Sequence, residues 1–108
     1  MYKQGDIVLC PFPFTDSLQT SKSRPVVIVS KDSQNKYGYI VVKVTSVIRN
    51  DAYSFPILKR DINFEMERAS EIRINDIATI SNRLIVKKMG EMTKDGLERL
   101  LDAIHSNF

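Results

Sequence analysis

The sequence holds a single cysteine, Cys10, and a single histidine, His105, among its 108 residues. One cysteine excludes an internal disulfide framework and fits a reducing cytoplasm. Cys10 alternates with Val8 in a strand-like pattern and no histidine lies near it, so a buried structural thiol is a better interpretation than a nucleophile. Because no spacing typical of a metal site is present, we expect no metal or other cofactor.

Long apolar runs are also missing from the chain. No stretch approaches the roughly 18 apolar residues that a membrane-spanning helix needs. The opening residues, MYKQGD, lack the apolar core of a signal peptide. The chain has only 4 glycines, and they form no glycine-rich phosphate loop. We therefore expect a cytoplasmic protein with no membrane partner.

The composition is that of a small globular protein. A length of 108 residues predicts a single domain, 1–108, with a modest core. Hydrophobic residues make up 43% and charged residues 27%, which excludes a disordered chain. The 16 lysines and arginines outnumber the 13 acids, giving a net charge of +3. This balance favours a polyanionic partner without establishing one.

Short β-branched runs separated by polar turns predict a mainly β protein. We predict strands or extended segments over 7–10, 25–30, 39–48, 54–58, 70–74, 78–80 and 84–89. In the run 39–48, we expect the apolar even positions to face the core, namely Ile40, Val42, Val44 and Ile48. In 70–74 we expect Ile72 and Ile74 to point inward and Glu71 and Arg73 outward. Asn75 and Asp76 then begin a short turn or a one-turn helix.

A helix is predicted to end the chain. Thr93 is a suitable N-cap, and Asp95 lies in the first turn, where the helix dipole favours an acid. One apolar stripe follows with helical spacing: Leu97, Leu100, Leu101, Ile104 and Phe108. The pattern as a whole predicts a small barrel-like sheet closed by a C-terminal helix.

Three blocks carry a resemblance to a known family: GDIVLCPFPFTD (5–16), SRPVVIVS (23–30) and VKVTS (42–46), supported by DIATISNRL (76–84) and Gly90. In order and spacing they resemble the MazF/PemK family of toxin ribonucleases. The likeness spans most of the chain and is weakest over 50–69. It implies an SH3-like barrel, a homodimer and a cognate antitoxin. It also implies a sequence-selective endoribonuclease that cleaves single-stranded RNA (mRNA) without a metal, through a 2′,3′-cyclic phosphate.

The resemblance places the active-site arginine on Arg24 and the active-site hydroxyl on Thr45, with Ser46 adjacent. A fixed guanidinium matches two phosphate oxygens and would stabilise the charge that accumulates when a 2′-OH attacks phosphorus. The alternatives are a surface charge or ion pair for Arg24 and an ordinary strand threonine for Thr45. Ser46 could hold the phosphate instead if a bulge shifts the register. His105 is far away on the predicted helix, so the proton-transfer partner stays unassigned.

Further residues are candidates for RNA binding. The polar loop 13–23 is long for a hairpin, and long loops in compact domains are often functional. Phe12 and Phe14 flank Pro13, and they either pack beneath this loop or stack on bases or an antitoxin. The polar and cationic candidates are Thr15, Lys22, Lys43 and Arg49.

Two other classes of function are compatible with the sequence. The first alternative is a non-catalytic SH3-like module that inhibits or binds a protein target, because fold does not fix function. A DNA-binding regulator is weaker, since no helix is predicted before residue 93 to enter a groove. Cleavage of RNA by the purified protein separates the first alternative from the nuclease.

Overall fold

A computed structural model describes residues 1–11, 23–36 and 38–108. Its strands are β1 (Asp6–Pro11), β2 (Ser23–Ile28), β3 (Tyr39–Thr45), β4 (Ser54–Pro56), β5 (Glu71–Ile80) and β6 (Lys87–Glu91), and its helix is α1 (Lys94–Ser106). One-turn 3-10 helices span Asp32–Gln34, Lys59–Asp61 and Asn82–Leu84. The strands form one antiparallel sheet in the order β4-β5-β3-β2-β1-β6.

The sheet buries apolar side chains on both faces, which explains why its strands read as nearly continuous apolar runs. One face packs beneath α1, and its core contains Ile7, Val27, Val42, Val44, Phe55, Ile62, Ile72, Ile74, Met92 and Leu100. The opposite face buries Val8, Cys10, Val26, Ile28, Tyr39, Val41 and Ile80. Cys10 is fully buried in this second core, which confirms the structural interpretation of its thiol. Burial raises the pKa of that thiol.

The C-terminal helix forms as the sequence predicts. The Thr93 hydroxyl accepts a hydrogen bond from the Gly96 amide at 3.1 Å, and Asp95 lies in the first turn. Of the predicted apolar stripe, Leu100 is fully buried and Leu97 and Ile104 are partly buried against the sheet. Phe108 is wrongly placed in that stripe, because it lies beyond the end of α1 and is 72% exposed.

The mainly β fold with one C-terminal helix is confirmed, but the description as a barrel is loose. In the part of the chain that the structure describes, β4 and β6 are the two edges of the sheet and form no ladder with each other. A single bridge between Ile62 and Met92 links the segments that follow these two edges. Over the described residues, the architecture is therefore a six-stranded sheet that stays open at its margins.

A register shift in the β3–β5 ladder overturns the predicted turn at Asn75 and Asp76. Val42 pairs with Ile77, whereas the next residue, Lys43, pairs with Arg73. The three residues from 74 to 76 are therefore extra on β5 and form a bulge within one continuous strand. The Asn-Asp signal marks this irregularity, because polar side chains tolerate an unpaired backbone, and it does not mark a reversal of the chain.

Several predicted side-chain orientations also need correction. Ile40 and Ile48 were expected in the core, but they are 44% and 53% exposed. Ile40 shares a face with Val42 but lies outside the covered area, and Ile48 follows the end of β3 at Thr45. Glu71 and Arg73 were expected to face solvent, yet both are buried because they hydrogen-bond each other.

The last predicted strand is shifted along the chain. The structure has a 3-10 turn at Asn82–Leu84, and β6 begins only at Lys87. The Ser81 hydroxyl accepts a hydrogen bond from the Arg83 amide and so caps this turn. The strand itself then pairs with β1, so its position depends on a distant partner.

Candidate functional site

The pairing of β2 with β3 brings Arg24 and Thr45 close together on neighbouring strands. On β2 and β3, Val26 pairs with Lys43 and Val27 pairs with Val42. Continuing this antiparallel register by two residues places Arg24 opposite Thr45. Because side chains two residues apart share a face, Arg24, Lys43 and Thr45 lie on the same side of the sheet.

An open cleft of about 640 Å³ lies where β2 begins and β3 ends, and we call it the Arg24 cleft. Its lining includes four residues predicted from the sequence or adjacent to them: Arg24, Lys43, Thr45 and Ser46. The remaining lining residues are Pro25, Val44, Val47, Glu65, Met66, Glu67, Arg68, Ser70 and Met89. The structure therefore unites the predicted arginine, lysine and hydroxyl groups in one concave surface.

Thr45 is the last residue of β3, and its side chain shapes the chain that follows. Its Oγ1 accepts a hydrogen bond from the Val47 amide at 3.1 Å, forming a local hydroxyl turn. Because Oγ1 accepts this bond, its hydroxyl hydrogen is the group that can donate to a ligand oxygen. Thr45 is half-buried, whereas Ser46 is exposed beside it.

A buried carboxylate lies beside Thr45 on the neighbouring strand. Glu71 on β5 is the cross-strand partner of Thr45 and is 1% exposed. Its Oε1 accepts hydrogen bonds from the Arg49 and Asn50 amides at 3.2 and 3.3 Å. Its Oε2 accepts from the Ser54 hydroxyl at 2.7 Å and from Arg73 Nη1 at 2.8 Å. The carboxylate thus ties the turn after β3 to β5.

Arg73 extends this network to the surface. Its Nη1 and Nη2 donate to the two carboxylate oxygens of Asp51 at 2.9 and 3.1 Å. The hydrogen bond from Arg73, followed by the one from the Tyr53 amide, lowers the pKa of Asp51 to about 2. The two-pronged contact is the geometry that a guanidinium favours with a carboxylate.

The pKa of Glu71 results from opposing effects. Burial alone would raise it, because a charged carboxylate is poorly solvated inside the protein. The hydrogen bonds from Ser54, Arg73 and the Asn50 and Arg49 amides outweigh that effect and hold the pKa below its usual value. Glu71 is therefore charged in the folded protein at neutral pH.

The segment 65–70 forms a wall of the Arg24 cleft that sequence reasoning missed. It contributes Arg68, which adds to the positive charge of Arg24 and Lys43, and two carboxylates, Glu65 and Glu67. The sequence signal was weak, because this stretch lacks strand or helix periodicity and is the region where the family resemblance fades. Its position is set by packing, since Phe64 and Met66 lie against the helix-side core.

The other predicted site residues are not among the described residues that line the Arg24 cleft. Arg49 does not line the Arg24 cleft itself, and its backbone amide donates a hydrogen bond to Glu71 in the turn after β3. Phe12, Phe14, Thr15 and Lys22 lie outside the residues that the structure describes. His105 is exposed in the last turn of α1 and is not among the residues lining the cleft.

Within the described ranges there is no group of three or more histidine, cysteine, aspartate or glutamate residues placed to hold a metal ion. The helical segments described also include none with the length and hydropathy to cross a membrane.

An antiparallel sheet with one helix and an arginine–hydroxyl cleft defines a small domain suited to holding an oxyanion such as phosphate. The chain belongs to the family of PemK-like, MazF-like toxins of type II toxin–antitoxin systems, whose sequence model matches residues 3–108. This membership confirms the resemblance drawn from the three sequence blocks.

Solved structures share the fold at low sequence identity. An endoribonuclease from Mycobacterial species aligns with a TM-score of 0.76 and 15% identity, covering 97% of this chain and 88% of the other. The MazE–MazF complex (Form-II) from Deinococcus radiodurans aligns with a TM-score of 0.74 and 15% identity, over 98% and 93% of the two chains. An endoribonuclease from Mycobacterial species in complex with its cognate antitoxin gives 0.73 and 15%, over 98% and 93%.

Proposed function

We propose that this toxin is an endoribonuclease that cleaves single-stranded RNA, with mRNA as its target, in the Arg24 cleft. The observation that carries the proposal is the placement of Arg24 opposite Thr45 on one face of the sheet, with Lys43 beside them. Membership of a toxin family and the fold shared with named endoribonucleases support it. We place its site of action in the cytoplasm.

The reaction that fits these groups is an internal transesterification. The 2′-oxygen of a ribose attacks the adjacent phosphorus, the bond from phosphorus to the 5′-oxygen breaks, and a 2′,3′-cyclic phosphate and a 5′-hydroxyl result. Negative charge grows on the non-bridging oxygens in the transition state. The Arg24 guanidinium and the Thr45 hydroxyl are donors that can stabilise this charge, with Ser46 as a neighbouring hydroxyl.

Two protons must move during this step, one from the 2′-OH and one to the leaving 5′-oxygen. The carboxylates lining the cleft are those of Glu65 and Glu67, and they are the candidate acceptors for the first proton. A guanidinium is an implausible base because it stays protonated. Arg24 therefore acts as a stabiliser of charge in this scheme. The carboxyl group that has taken the first proton, or a water molecule in the open cleft, gives a proton to the leaving 5′-oxygen, so the scheme needs no metal.

Single-stranded RNA suits the cleft better than a duplex does. The attacking group must be a 2′-OH, and the sugar must rotate to bring it in line with the leaving oxygen, which a stacked duplex resists. We assign Lys43, and with it Arg49, Lys22 and Thr15, to the RNA backbone, and Phe12 and Phe14 to stacking on bases. Hydrogen bonds to the edges of unpaired bases are the source of the sequence selectivity that we propose.

Two protein partners belong to the same proposal. A cognate antitoxin silences the toxin by covering the cleft, with acidic side chains in place of phosphates on Arg24 and Lys22. The toxin itself acts as a homodimer, with the RNA lying across the pair. The complexes of structural neighbours with antitoxins support the first of these partners.

The first prediction is that the purified protein cleaves single-stranded RNA in an excess of chelator. The products should carry a 2′,3′-cyclic phosphate, identified by mass spectrometry of a short cleaved oligonucleotide, and sequencing of product ends should reveal a preferred site. Loss of activity with chelator that magnesium restores would contradict the metal-free mechanism. Absence of cleavage by the folded, antitoxin-free protein would favour the non-catalytic binding module.

A further inference from the structure

The segment after β3 follows directly on Thr45 and carries two of the residues that line the Arg24 cleft, Ser46 and Val47. This segment does not continue as a strand, so no ladder of sheet hydrogen bonds holds it. Its attachments are the Val47 amide on Thr45 Oγ1 and the Arg49 and Asn50 amides on Glu71 Oε1. Asn50 has a positive φ of 50°, a conformation that non-glycine residues rarely adopt without local support.

Glu71 is the common anchor of these attachments. It is the cross-strand partner of Thr45, and its buried carboxylate reaches past the end of β3 to the amides of the turn. A buried carboxylate without partners would be strongly unfavourable, but here four donors satisfy it. Ser54 and Arg73 fix the orientation of the carboxylate from the other side, at 2.7 and 2.8 Å.

We propose that Glu71 is a positioning residue for the reaction. By fixing both the backbone opposite Thr45 and the turn that follows it, Glu71 aims the Thr45 hydroxyl across the sheet at the phosphate held by Arg24. Glu71 does not touch the RNA, because it is buried and does not line the cleft. The inference rests on the proposed function and adds to it the group on which the geometry of the hydroxyl depends.

The test compares Glu71→Gln, Thr45→Ala and the double variant in single-turnover cleavage of a short RNA. Glutamine keeps one oxygen for the Arg49 and Asn50 amides, but it presents an NH₂ group to the donors of Ser54 and Arg73. A small misplacement of a catalytic group greatly lowers the reaction rate. We therefore expect E71Q to lower the rate constant about 10- to 100-fold with little change in RNA binding. In the T45A background, E71Q should change the rate by no more than about twofold, since the group it positions is gone.

The matched control is Asp61→Asn. Asp61 is also fully buried, accepts a hydrogen bond from the Leu58 amide at 2.8 Å and pairs with an arginine, Arg99, but it lies outside the lining of the Arg24 cleft. With rates normalised to the folded fraction measured by near-UV circular dichroism, D61N should cleave like the wild type. Should E71Q not fold, Ser54→Ala takes its place, because it removes a single donor to Glu71, and a smaller rate loss that also vanishes in the T45A background is expected.

The outcomes separate the inference from the proposed function. If the wild type cleaves and the effects of E71Q and T45A multiply, Glu71 does not act through Thr45 and the inference is overturned. An unchanged rate for folded E71Q, or a rate loss in D61N equal to that in E71Q, overturns it as well. If the wild type does not cleave RNA, the proposed function fails and the positioning role fails with it.

Discussion

Arg24 is the residue on which the proposed chemistry depends most, and its environment makes it a clean target for mutation. It lies near the start of β2 with an exposed side chain, so its removal leaves no cavity. Loss of one charge-stabilising donor typically lowers a rate about 10²–10³-fold. We expect Arg24→Ala to lower RNA cleavage by this factor while the protein stays folded.

The measurement is the cleavage rate of the folded variant, with Arg83→Ala as the matched control. Arg83 is also an exposed arginine, in the 3-10 turn Asn82–Leu84, but it does not line the Arg24 cleft. Equal activities for R24A and R83A would remove Arg24 from the mechanism.

Asp51 gives the structure a dependence on pH whose direction follows from its pKa. Its carboxylate has a pKa of about 2 in the folded protein because Arg73 donates to it, against roughly 3.9 in the unfolded chain. A lowered folded pKa means that Asp51 stabilises the fold fully above about pH 4 and loses this contribution as the pH falls toward about 2. The lowered pKa of Glu71 acts in the same direction.

We therefore expect Asp51→Asn to lower the melting temperature at pH 7, with a difference from the wild type that shrinks between pH 4 and pH 2. Thermal unfolding of both proteins across this range is the measurement. A difference that stays constant down to pH 2 would show that the Asp51 charge does not stabilise the fold.

The first turn of α1 packs closely against the 3-10 turn Lys59–Asp61. A single added methyl group at this contact should disturb both elements. A Cβ on Gly96 would lie 2.8 Å from the carbonyl oxygen and 2.9 Å from the Cα of Asp61. That carbonyl also accepts the Thr93 amide at 2.7 Å, so it is not free to move. Helix propensity favours alanine over glycine by about 1 kcal/mol, but overpacking typically costs about 1–3 kcal/mol.

We expect Gly96→Ala to lower the free energy of unfolding by up to about 2 kcal/mol, the excess of the overpacking cost over the propensity gain. Urea denaturation measures this quantity. Asp102→Ala, at an exposed position of the same helix, is the control and should change the stability by less than about 0.5 kcal/mol. A G96A variant more stable than the wild type would mean that the two elements separate easily.

The elements that could be predicted are those whose signals are local. The helix is predictable because Thr93 caps it and its apolar spacing is regular. The β-branched run 39–48 is predicted as a strand for the same kind of reason, although the strand ends at Thr45 and the last three residues of the run leave the sheet. The β5 bulge could not be predicted, since a register shift depends on which residues of another strand lie opposite. The exposure of Ile40 and the burial of Arg73 follow from the same tertiary pairing.

The residues of the candidate site also fall into those that local sequence predicts and those that depend on tertiary contacts. Arg24, Thr45, Ser46 and Lys43 could be proposed because they belong to short ordered blocks at the ends of strands. The wall formed by 65–70 and the anchoring role of Glu71 could not, because both arise from contacts between segments far apart in the sequence. Glu71 in particular is predicted to face solvent by the alternation of its strand, and it is buried because four groups donate hydrogen bonds to its carboxylate.

At the scale of the whole molecule, the edges of the sheet bear on assembly. The β4 edge is only three residues long and contains Pro56, which blunts it. Exposed apolar side chains lie elsewhere on the sheet, with Ile40 and Ile77 each more than 40% exposed on the face that also carries Val42. An apolar surface of this kind is covered when two copies associate.

We expect the protein to sediment as a homodimer at micromolar concentration, as proposed above. Analytical ultracentrifugation over a dilution series is the measurement. Ile40→Lys together with Ile77→Lys should shift the equilibrium toward the monomer if this face is the one that is covered. Sedimentation of the wild type as a monomer throughout the series would exclude the dimer.

The order of the strands has a consequence for how the toxin is made. The first strand in the chain, β1, pairs with the last one, β6, and the helix that covers one core follows β6. While the chain is still being synthesised, one edge of β1 therefore has no strand to pair with, and the helix-side core is not yet covered by α1. A sheet that joins strands so far apart in the sequence forms in roughly milliseconds to seconds, and it can be complete only after β6 has left the ribosome. The cleavage and the antitoxin control that we propose therefore both require a chain that is already complete, because the sheet behind the Arg24 cleft is finished only by its last strand and helix.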